Sequence, residues 1–336
     1  MNNQEESGKS MLPRTKNLLS VQSHVAHGYV GNKTATFPLQ YRGWNVDVLN
    51  TVQYSNHPGY GFFGGFESKS SDLHDIIKKG LIGELEINYD AILTGYISDI
   101  EGLKYIGILV QEFCERNLQL KWILDPVLGD NGRLYVTEGN AEVYKDILKK
   151  SKIYLTTPNQ FEMELLTGIS IADLSSLKES FVKFHSLYPN VENIVLTSVD
   201  MKESNLTLIS ACCHIDSNSD NRLKVCVMEV PKIPALFNGS GDLFSALLTD
   251  ELLTEQPEPS PLKARDGHET LKDALNNVLI LTDSILKKTY ELSLPDISIP
   301  AEGAIKIKDL KLIQCRDLLD KSYVSPLQNL ITPIYL

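Results

Sequence analysis

The sequence is poor in cysteine and has no cysteine pair spaced as in a metal or redox site. Its five cysteines are odd in number and form no CxxC motif. This pattern argues against a disulfide framework and predicts a reduced, cytoplasmic protein, with access to the nucleus left open. No apolar run reaches the length of a transmembrane helix. Residues 1–16 lack the apolar segment of a signal peptide, and we expect a disordered N-terminal tail there.

Positive charge is also scarce, since 32 Lys and Arg residues face 43 Asp and Glu residues, for a net charge of −11. We therefore expect neither nucleic acid nor an anionic membrane surface as the main partner. A polyanion could bind only where helix N-termini, backbone amides or metal ions create local positive potential. With 42% hydrophobic residues, the 336-residue chain can form a sizeable core. We expect one domain over residues 17–316, with an exposed loop at 254–268 and a C-terminal tail at 317–336.

Two binding motifs are incomplete. Gly8-Lys9-Ser10 resembles the end of a P-loop, but the position of the first glycine holds asparagine and no strand precedes it. Gly28 and Gly31 lack the third glycine of the dinucleotide fingerprint, so the pattern is only a weak indication of NAD binding. His24 and His27 have no acidic or cysteine neighbour, which favours loop or helix-start residues over metal ligands.

Apolar strand patterns alternate with helical spacing along the chain, which predicts an α/β fold with a doubly wound, mostly parallel sheet and flanking helices. The expected strands are 18–22, 46–53, 91–95, 122–126, 153–156 and 193–197. The expected helices are 34–41, one beginning at 72–77, 103–114, 160–166, 242–253 and 271–290. Segments 206–213 and 223–230 flank a turn-rich stretch and predict an antiparallel hairpin in the C-terminal half.

Polar residues follow five of the predicted strands. They are Gln22 and Ser23, Thr94 to Tyr96, Asp125, Thr157, and Thr197 with Ser198. Ligands of open α/β sheets bind beyond the carboxyl ends of the strands, so these clusters predict one site at that edge.

The segment Gly239-Ser240-Gly241-Asp242 precedes an apolar helical pattern. Glycines let backbone N–H groups approach an anion, and a helix start adds unpaired donors and positive dipole charge. An aspartate would repel an anion bound there. Its presence is explained if it takes a proton from a hydroxyl that attacks a phosphate. Taken alone, the segment is better explained as a glycine turn with Ser240 or Asp242 as helix cap.

Three further acidic positions also have ordinary structural explanations. Asn159 with Glu162 forms a capping-box pattern, although Glu162 could also hold Mg²⁺ through water. Asp125 precedes Pro126 and is either a turn residue or part of a cation site. Asp130 belongs to a Gly-Asp-Asn-Gly turn.

Together, these segments resemble the pyridoxal kinases of the ribokinase-like superfamily. Seven blocks in register carry the resemblance, between about residue 18 and residue 253. The blocks are 20–32, 35–40, 52–57, 93–96, 125–130, 157–162 and 239–244.

The resemblance implies ATP-dependent phosphorylation of the 5′-hydroxyl of pyridoxal, pyridoxine or pyridoxamine, giving pyridoxal 5′-phosphate in vitamin B6 salvage. It implies Asp242 as the base and Gly239, Ser240 and Gly241 as the backbone anion hole. The implied vitamer contacts are Ser23, Pro58, Tyr96, Asp242 and, from the flap, Tyr135. The implied nucleotide contacts are Asp130, Asn159, Glu162, Thr197, Ser198 and Ser240. Asp125, Thr157 and Glu162 are the implied metal residues, for Mg²⁺ or Zn²⁺ and for K⁺ or Na⁺. A homodimer is also implied.

The chain departs from the family at two positions. Pro58 stands where the family has a substrate-contacting threonine, so a hydroxyl and a backbone donor are lost. The flap between Asp130 and Tyr135 is short, which weakens the expected exclusion of water. Two alternatives follow: a hydroxymethylpyrimidine-type kinase, or a catalytically weak B6-binding protein.

Overall fold

A computed structural model describes residues 14–201, 206–215, 223–254, 266–296, 305–323 and 333–336. Its main sheet has ten strands in the order β14-β11-β10-β9-β8-β5-β4-β1-β2-β3. These are β1 (Asn17–Val25), β2 (Asn45–Tyr54), β3 (Gly65–Glu67), β4 (Ala91–Thr94), β5 (Lys121–Leu124), β8 (Ile153–Thr156), β9 (Val191–Val199), β10 (Thr207–His214), β11 (Cys226–Pro231) and β14 (Ile334–Tyr335). Two short pairs lie outside it: β6 (Gly129–Asp130) with β7 (Arg133–Leu134), and β12 (Ala235–Phe237) with β13 (Ile305–Ile307).

Helices cover both faces of this sheet. They are α1 (Asn32–Tyr41), α2 (Ser70–His74), α3 (Ile100–Arg116), α4 (Glu138–Lys150), α5 (Gln160–Thr167), α6 (Leu174–Leu187), α7 (Ser240–Leu253) and α8 (Gly267–Ser293). A π-helix, Asp75–Glu84, continues α2, and 3₁₀ turns occur at Pro58–Tyr60, Leu294–Asp296 and Arg316–Leu319. None of the helices in the described residues is long and apolar enough to cross a membrane.

Successive strand residues point to opposite faces, which divides the core into two clusters. Leu93 and Ile123 pack with the face covered by α1, α7 and α8. Ile92 and Trp122 pack with the face covered by α2 to α6. Both faces of the central strands are therefore buried, as expected for a parallel sheet between helix layers.

The pairings confirm the predicted sheet. Strands β2, β1, β4, β5, β8 and β9 pair in parallel, whereas β9, β10, β11 and β14 pair antiparallel at one edge. The predicted hairpin is the pair of β10 and β11. The strand β14 adds a pairing to the edge that the weak pattern of the C-terminal residues did not predict. Residues 1–13 of the expected tail, the P-loop-like segment within it, and residues 255–265 of the expected loop lie outside the described residues.

Two β-bulges lie beside predicted site residues. Thr51 and Val52 of β2 oppose the single residue Ser23 of β1. Thr197 and Ser198 of β9 oppose the single residue Ser210 of β10. An extra residue bends a strand and re-aims its side chains, so both bulges alter the surface near the carboxyl ends of the strands.

Candidate active site

Two helix N-termini meet at the site, since the backbone N–H of Gly31, which precedes α1, bonds to Asp242 in the first turn of α7. Their cap residues, Gly31 and Gly239, have φ angles of 54° and 78°, a left-handed region that favours glycine. A β-carbon at Gly239 would lie 2.1 Å from the carbonyl oxygen of Tyr29. Glycine has no side chain, so neither cap residue supplies an acceptor for the backbone N–H groups at the start of its helix. Their dipoles combine to favour negative charge between them.

Asp242 lies in the first turn of α7 and is half-buried. Loss of hydration raises the pKa of its carboxyl to about 6, and a hydrogen bond from the backbone N–H of Gly31 opposes that rise. Gly31 also packs against Ser23, since a β-carbon at Gly31 would lie 2.4 Å from the Ser23 hydroxyl oxygen. The structure therefore brings together Ser23 and Asp242 on two sides of Gly31.

Asp125 is buried and directly follows β5. Its carboxylate accepts a hydrogen bond of 3.0 Å from Ser245, whose hydroxyl lies 3.0 Å from that of Thr157. Burial is the main reason that the pKa of Asp125 rises to about 7, and the nearby charge of Asp242 adds to it. The hydrogen bonds of Ser245 and Thr157 oppose the rise. Ser245 was not predicted as a site residue, although its spacing of three residues from Asp242 places both on one helix face.

Glu162 is a buried structural cap. Its two carboxylate oxygens accept hydrogen bonds from the backbone N–H groups of Leu128, at 2.9 Å, and Asn159, also at 2.9 Å. Asn159 in turn accepts from the N–H of Glu162 at 3.0 Å, which completes the predicted capping box. Burial, and then the charge of Asp125, raises the pKa of Glu162 well above its usual range. Asp242, Asp125 and Glu162 thus form a line of acids in which each neighbouring pair interacts.

The flap is a two-residue hairpin between β6 and β7. Asn131 and Gly132 have φ angles of 50° and 73°, as a type I′ turn requires. Asp130 accepts a hydrogen bond of 2.7 Å from the N–H of Asn131, so its exposed side chain serves the turn that the sequence predicted. Tyr135 is 58% exposed, and its carbonyl oxygen lies 3.5 Å from the hydroxyl of Tyr96. The short flap therefore lies close to the residues that follow β4.

Thr197 and Ser198 occupy the bulge in β9. The N–H of Thr197 donates to the carbonyl of Pro158 at 3.1 Å, which joins the bulge to the turn that precedes Asn159. Ser198 is exposed. Both residues lie at the same edge of the sheet as Glu162, as the strand-end pattern predicted.

Pro58 is exposed and begins a 3₁₀ turn. The preceding His57 is buried, and its Nε2–H donates to the carbonyl of Lys308 at 2.9 Å. His24 belongs to β1, so the expectation of a loop or helix-start position is wrong for it. His27 lies in the exposed loop after β1. Within the described part of the chain, no group of three or more His, Cys, Asp or Glu side chains is arranged to hold a metal ion.

The chain matches a family model, several relatives and solved structures. A family model described as phosphomethylpyrimidine kinase matches residues 75–281. The Saccharomyces cerevisiae protein named "Putative pyridoxal kinase BUD17" is 51% identical over 317 residues, which cover 94% of this chain and 96% of that protein. The pyridoxal kinase of Homo sapiens is 37% identical over 240 residues, covering 69% and 75%. The solved structure of Leishmania donovani pyridoxal kinase with ADP and pyridoxine matches with a TM-score of 0.77 and 29% identity, covering 95% and 99%.

Proposed function

The chain belongs to the pyridoxal kinase family of the ribokinase-like superfamily, and we propose that Asp242 is the base in its reaction. The activity is ATP-dependent phosphorylation of B6 vitamers, at the 5′-hydroxyl of pyridoxal, pyridoxine or pyridoxamine. One observation carries the assignment of the base: a carboxyl with a pKa of about 6 lies where the N-termini of α1 and α7 meet.

The proton of the vitamer hydroxyl passes to the carboxylate of Asp242 as the oxygen attacks the γ-phosphorus of ATP. A base whose pKa lies just below neutral pH is ionised at the start of the reaction and is still basic enough to accept a proton. The N–H of Gly31 orients the carboxylate. The displaced ADP oxygen leaves with the electron pair of the broken P–O bond.

Gly239, Ser240 and Gly241 form the anion hole in this proposal. Their backbone N–H groups lie at the start of α7, where unpaired donors and the helix dipole stabilise charge on a transferred phosphoryl group. Ser240 also contacts the nucleotide. Because the chain has no P-loop lysine at this position, the helix starts and cations supply the positive potential.

The nucleotide occupies the other end of the acidic line, against Asp130, Asn159, Glu162, Thr197 and Ser198. The donor set there and at the Asp125–Thr157 pair consists of oxygen atoms, which suit Mg²⁺ and K⁺ or Na⁺ better than Zn²⁺. Mg²⁺ bound with ATP would neutralise phosphate charge, and Glu162 would contact the Mg²⁺ through water. A monovalent cation beside Asp125 and Thr157 would offset the charge that raises the pKa of Asp125.

The vitamer lies between Ser23, Tyr96 and the flap residue Tyr135, with its hydroxymethyl group toward Asp242. Support comes from the Gly31 contact, which brings Ser23 close to Asp242, and from the contact of Tyr96 with Tyr135. A homodimer and a cytoplasmic location complete the proposal. The buried, free cysteines are consistent with a reducing compartment.

A substrate panel tests the function. Purified protein with Mg-ATP and each B6 vitamer should produce ADP and the vitamer 5′-phosphate. The kcat of Asp242→Asn should be lower by about a thousandfold or more, since the substitution removes the base and leaves the anion hole. Asp146→Asn, which changes an exposed acid on α4, is the matched control.

The same panel distinguishes the alternatives. Faster turnover of a hydroxymethylpyrimidine than of every vitamer would favour the pyrimidine kinase that Pro58 and the matched family model suggest. Vitamer binding without turnover would instead indicate a B6-binding protein and would refute the role of Asp242.

A further inference from the structure

Asp309 lies two residues beyond β13 and accepts hydrogen bonds from two separate loops. The backbone N–H of Tyr29, in the loop between β1 and α1, donates to Oδ1 at 3.2 Å. The hydroxyl of Tyr60, in the turn that Pro58 begins, donates to Oδ2. The Asp309 side chain is only 17% exposed, so these partners satisfy a largely buried carboxylate.

The first loop is shaped around this carboxylate. Gly28 has a φ angle of 94°, and a β-carbon there would lie 2.2 Å from Oδ1 of Asp309. A residue with a side chain would therefore be strained and would displace the carboxylate. The same loop leads directly into Gly31, which contacts both Ser23 and Asp242.

The second loop is held from the same side. The buried His57 ring donates to the Lys308 carbonyl at 2.9 Å, and the Lys308 ammonium lies 4.6 Å from the centre of the Tyr60 ring. Gly59 passes so close to His57 that a β-carbon would lie 2.8 Å from its Nδ1. The turn that carries Pro58 is thus fixed by residues 308 and 309.

The segment before Asp309 also reaches the anion hole. Strand β13 pairs with β12, and the side-chain amide of Asn238 donates to the carbonyl of Ile307 at 3.3 Å. Asn238 immediately precedes Gly239. Three consecutive residues, 307 to 309, therefore contact the residue that precedes the anion hole and both loops on the vitamer side.

We propose that Asp309 is a positioning residue that fixes the Ala26–Gly31 loop and the Pro58–Tyr60 turn relative to the anion hole, and thereby sets the affinity for the B6 vitamer. The proposal rests on the proposed function, in which Ser23 contacts the vitamer, and on the vitamer contact that the family resemblance implies for Pro58. A small displacement of residues that position a substrate lowers the rate strongly, because the reacting atoms lose their alignment. Asp309 acts through these loops and does not itself touch the reacting atoms.

Kinetics of three variants test the proposal. Asp309→Ala should raise the KM for the vitamer about tenfold or more, the loss expected for a hydrogen bond to a charged group. The KM for ATP should stay within about twofold, because Asn159, Glu162 and the pair Thr197–Ser198 belong to the start of α5 and to β9 and not to either loop. Asp309→Asn keeps one acceptor for the Tyr29 N–H. Its KM for the vitamer should therefore lie between the values of Asp309→Ala and of the natural protein. Asp317→Ala, which removes an exposed acid paired with Lys288, is the control.

Hydrogen–deuterium exchange gives a readout that does not depend on activity. In Asp309→Ala, exchange should accelerate in residues 26–31 and 57–60, and should remain unchanged in α5 and β9. Uniform acceleration across the chain, or an equal rise in both KM values, would mean general destabilisation and would overturn the proposal. Unchanged exchange in the two loops would overturn it as well. If the natural protein phosphorylates no vitamer while the loops still respond, the proposed function fails and the contacts of Asp309 stand.

Discussion

Ser245 donates a 3.0 Å hydrogen bond to Asp125 from a position one helical turn beyond Asp242. The helix that carries the proposed base is therefore tied to the end of β5, and the charges of Asp242 and Asp125 interact. Two neighbouring acids in a partly buried site oppose each other's ionisation. The activity should consequently depend on pH and on cations near Asp125.

The acid side of the pH profile should report Asp242. Its folded-state pKa of about 6 exceeds the usual 3.8, so the carboxylate gains a proton as pH falls through 6 and can no longer act as a base. We expect kcat/KM to fall about tenfold per pH unit below that point. Enzyme held at each low pH and then assayed at neutral pH controls for inactivation. A flat profile down to pH 5 would contradict the assignment.

Asp242→Asn should be more stable than the natural protein at neutral pH. Because the folded state binds the proton more tightly than the unfolded state, ionised Asp242 lowers stability above pH 6, and this cost disappears as pH falls below 4. The amide removes the cost, which we estimate at about 1–2 kcal/mol for a half-buried group. Urea unfolding at pH 8 and at pH 4 measures the difference, which should vanish at the lower pH.

Gly239→Ala and Gly241→Ala separate folding from catalysis. Gly239 has positive φ, and its β-carbon would collide with the Tyr29 carbonyl, so alanine there should cost about 1–3 kcal/mol of stability as well as activity. Apart from its chain neighbours and its own helix backbone, a β-carbon at Gly241 would meet no atom of the described residues within 4 Å. Gly241→Ala should therefore keep its melting temperature and lose kcat, because the methyl group intrudes where the phosphoryl group is stabilised. Full activity of Gly241→Ala would remove it from the anion hole.

Glu162 should have two separable roles. Glu162→Ala leaves the buried N–H group of Leu128 and the partly buried N–H group of Asn159 without their acceptor and should cost about 2–3 kcal/mol. Glu162→Gln retains one acceptor and should cost less. Both variants should raise the KM for Mg-ATP if Glu162 supports the metal. Loss of stability with an unchanged KM for Mg-ATP would reduce Glu162 to a helix cap.

Pro58→Thr tests the departure from the family. The proline is exposed, so threonine restores a hydroxyl without disturbing the core. We expect the KM for pyridoxal to fall by about threefold to tenfold, the effect of one added hydrogen bond. The melting temperature serves as the check that the turn still folds. An unchanged KM would mean that position 58 does not contact the vitamer.

The regular strands and most helices could be predicted from sequence because their apolar runs are long. Helices α4 and α6 were missed. In α6 the signal existed: Asp173 caps the helix, and Leu177, Phe181 and Phe184 share its buried face. In α4 the charged residues and the buried polar residue Asn140 obscure the apolar stripe. The strands β12, β13 and β14 are two or three residues long, which is too short for a periodic pattern.

The residues at the strand ends were predicted as one site, and the structure places them along one edge. Ser245 and Asp309 were not predicted as functional. To predict Ser245, one must know that the helix face of Asp242 meets Asp125. To predict Asp309, one must know which loops its segment contacts once β13 pairs with β12. Contacts between residues far apart in sequence leave no local pattern, so only the folded chain reveals them.

The Asn131–Gly132 turn affects how the purified protein ages. Asparagine followed by glycine can cyclise to a succinimide and deamidate when the backbone is free to bend toward the side chain. Asn131 lies at an exposed hairpin tip. The Asn131 amide bonds only to the neighbouring Asp130 carboxylate, at 2.9 Å, and so stays within the hairpin tip. At the second Asn-Gly pair, the Asn238 amide is bonded to Ile307 on another strand and Gly239 is packed against Tyr29. Deamidation during storage should therefore begin in the flap and spare the residues around the phosphoryl group.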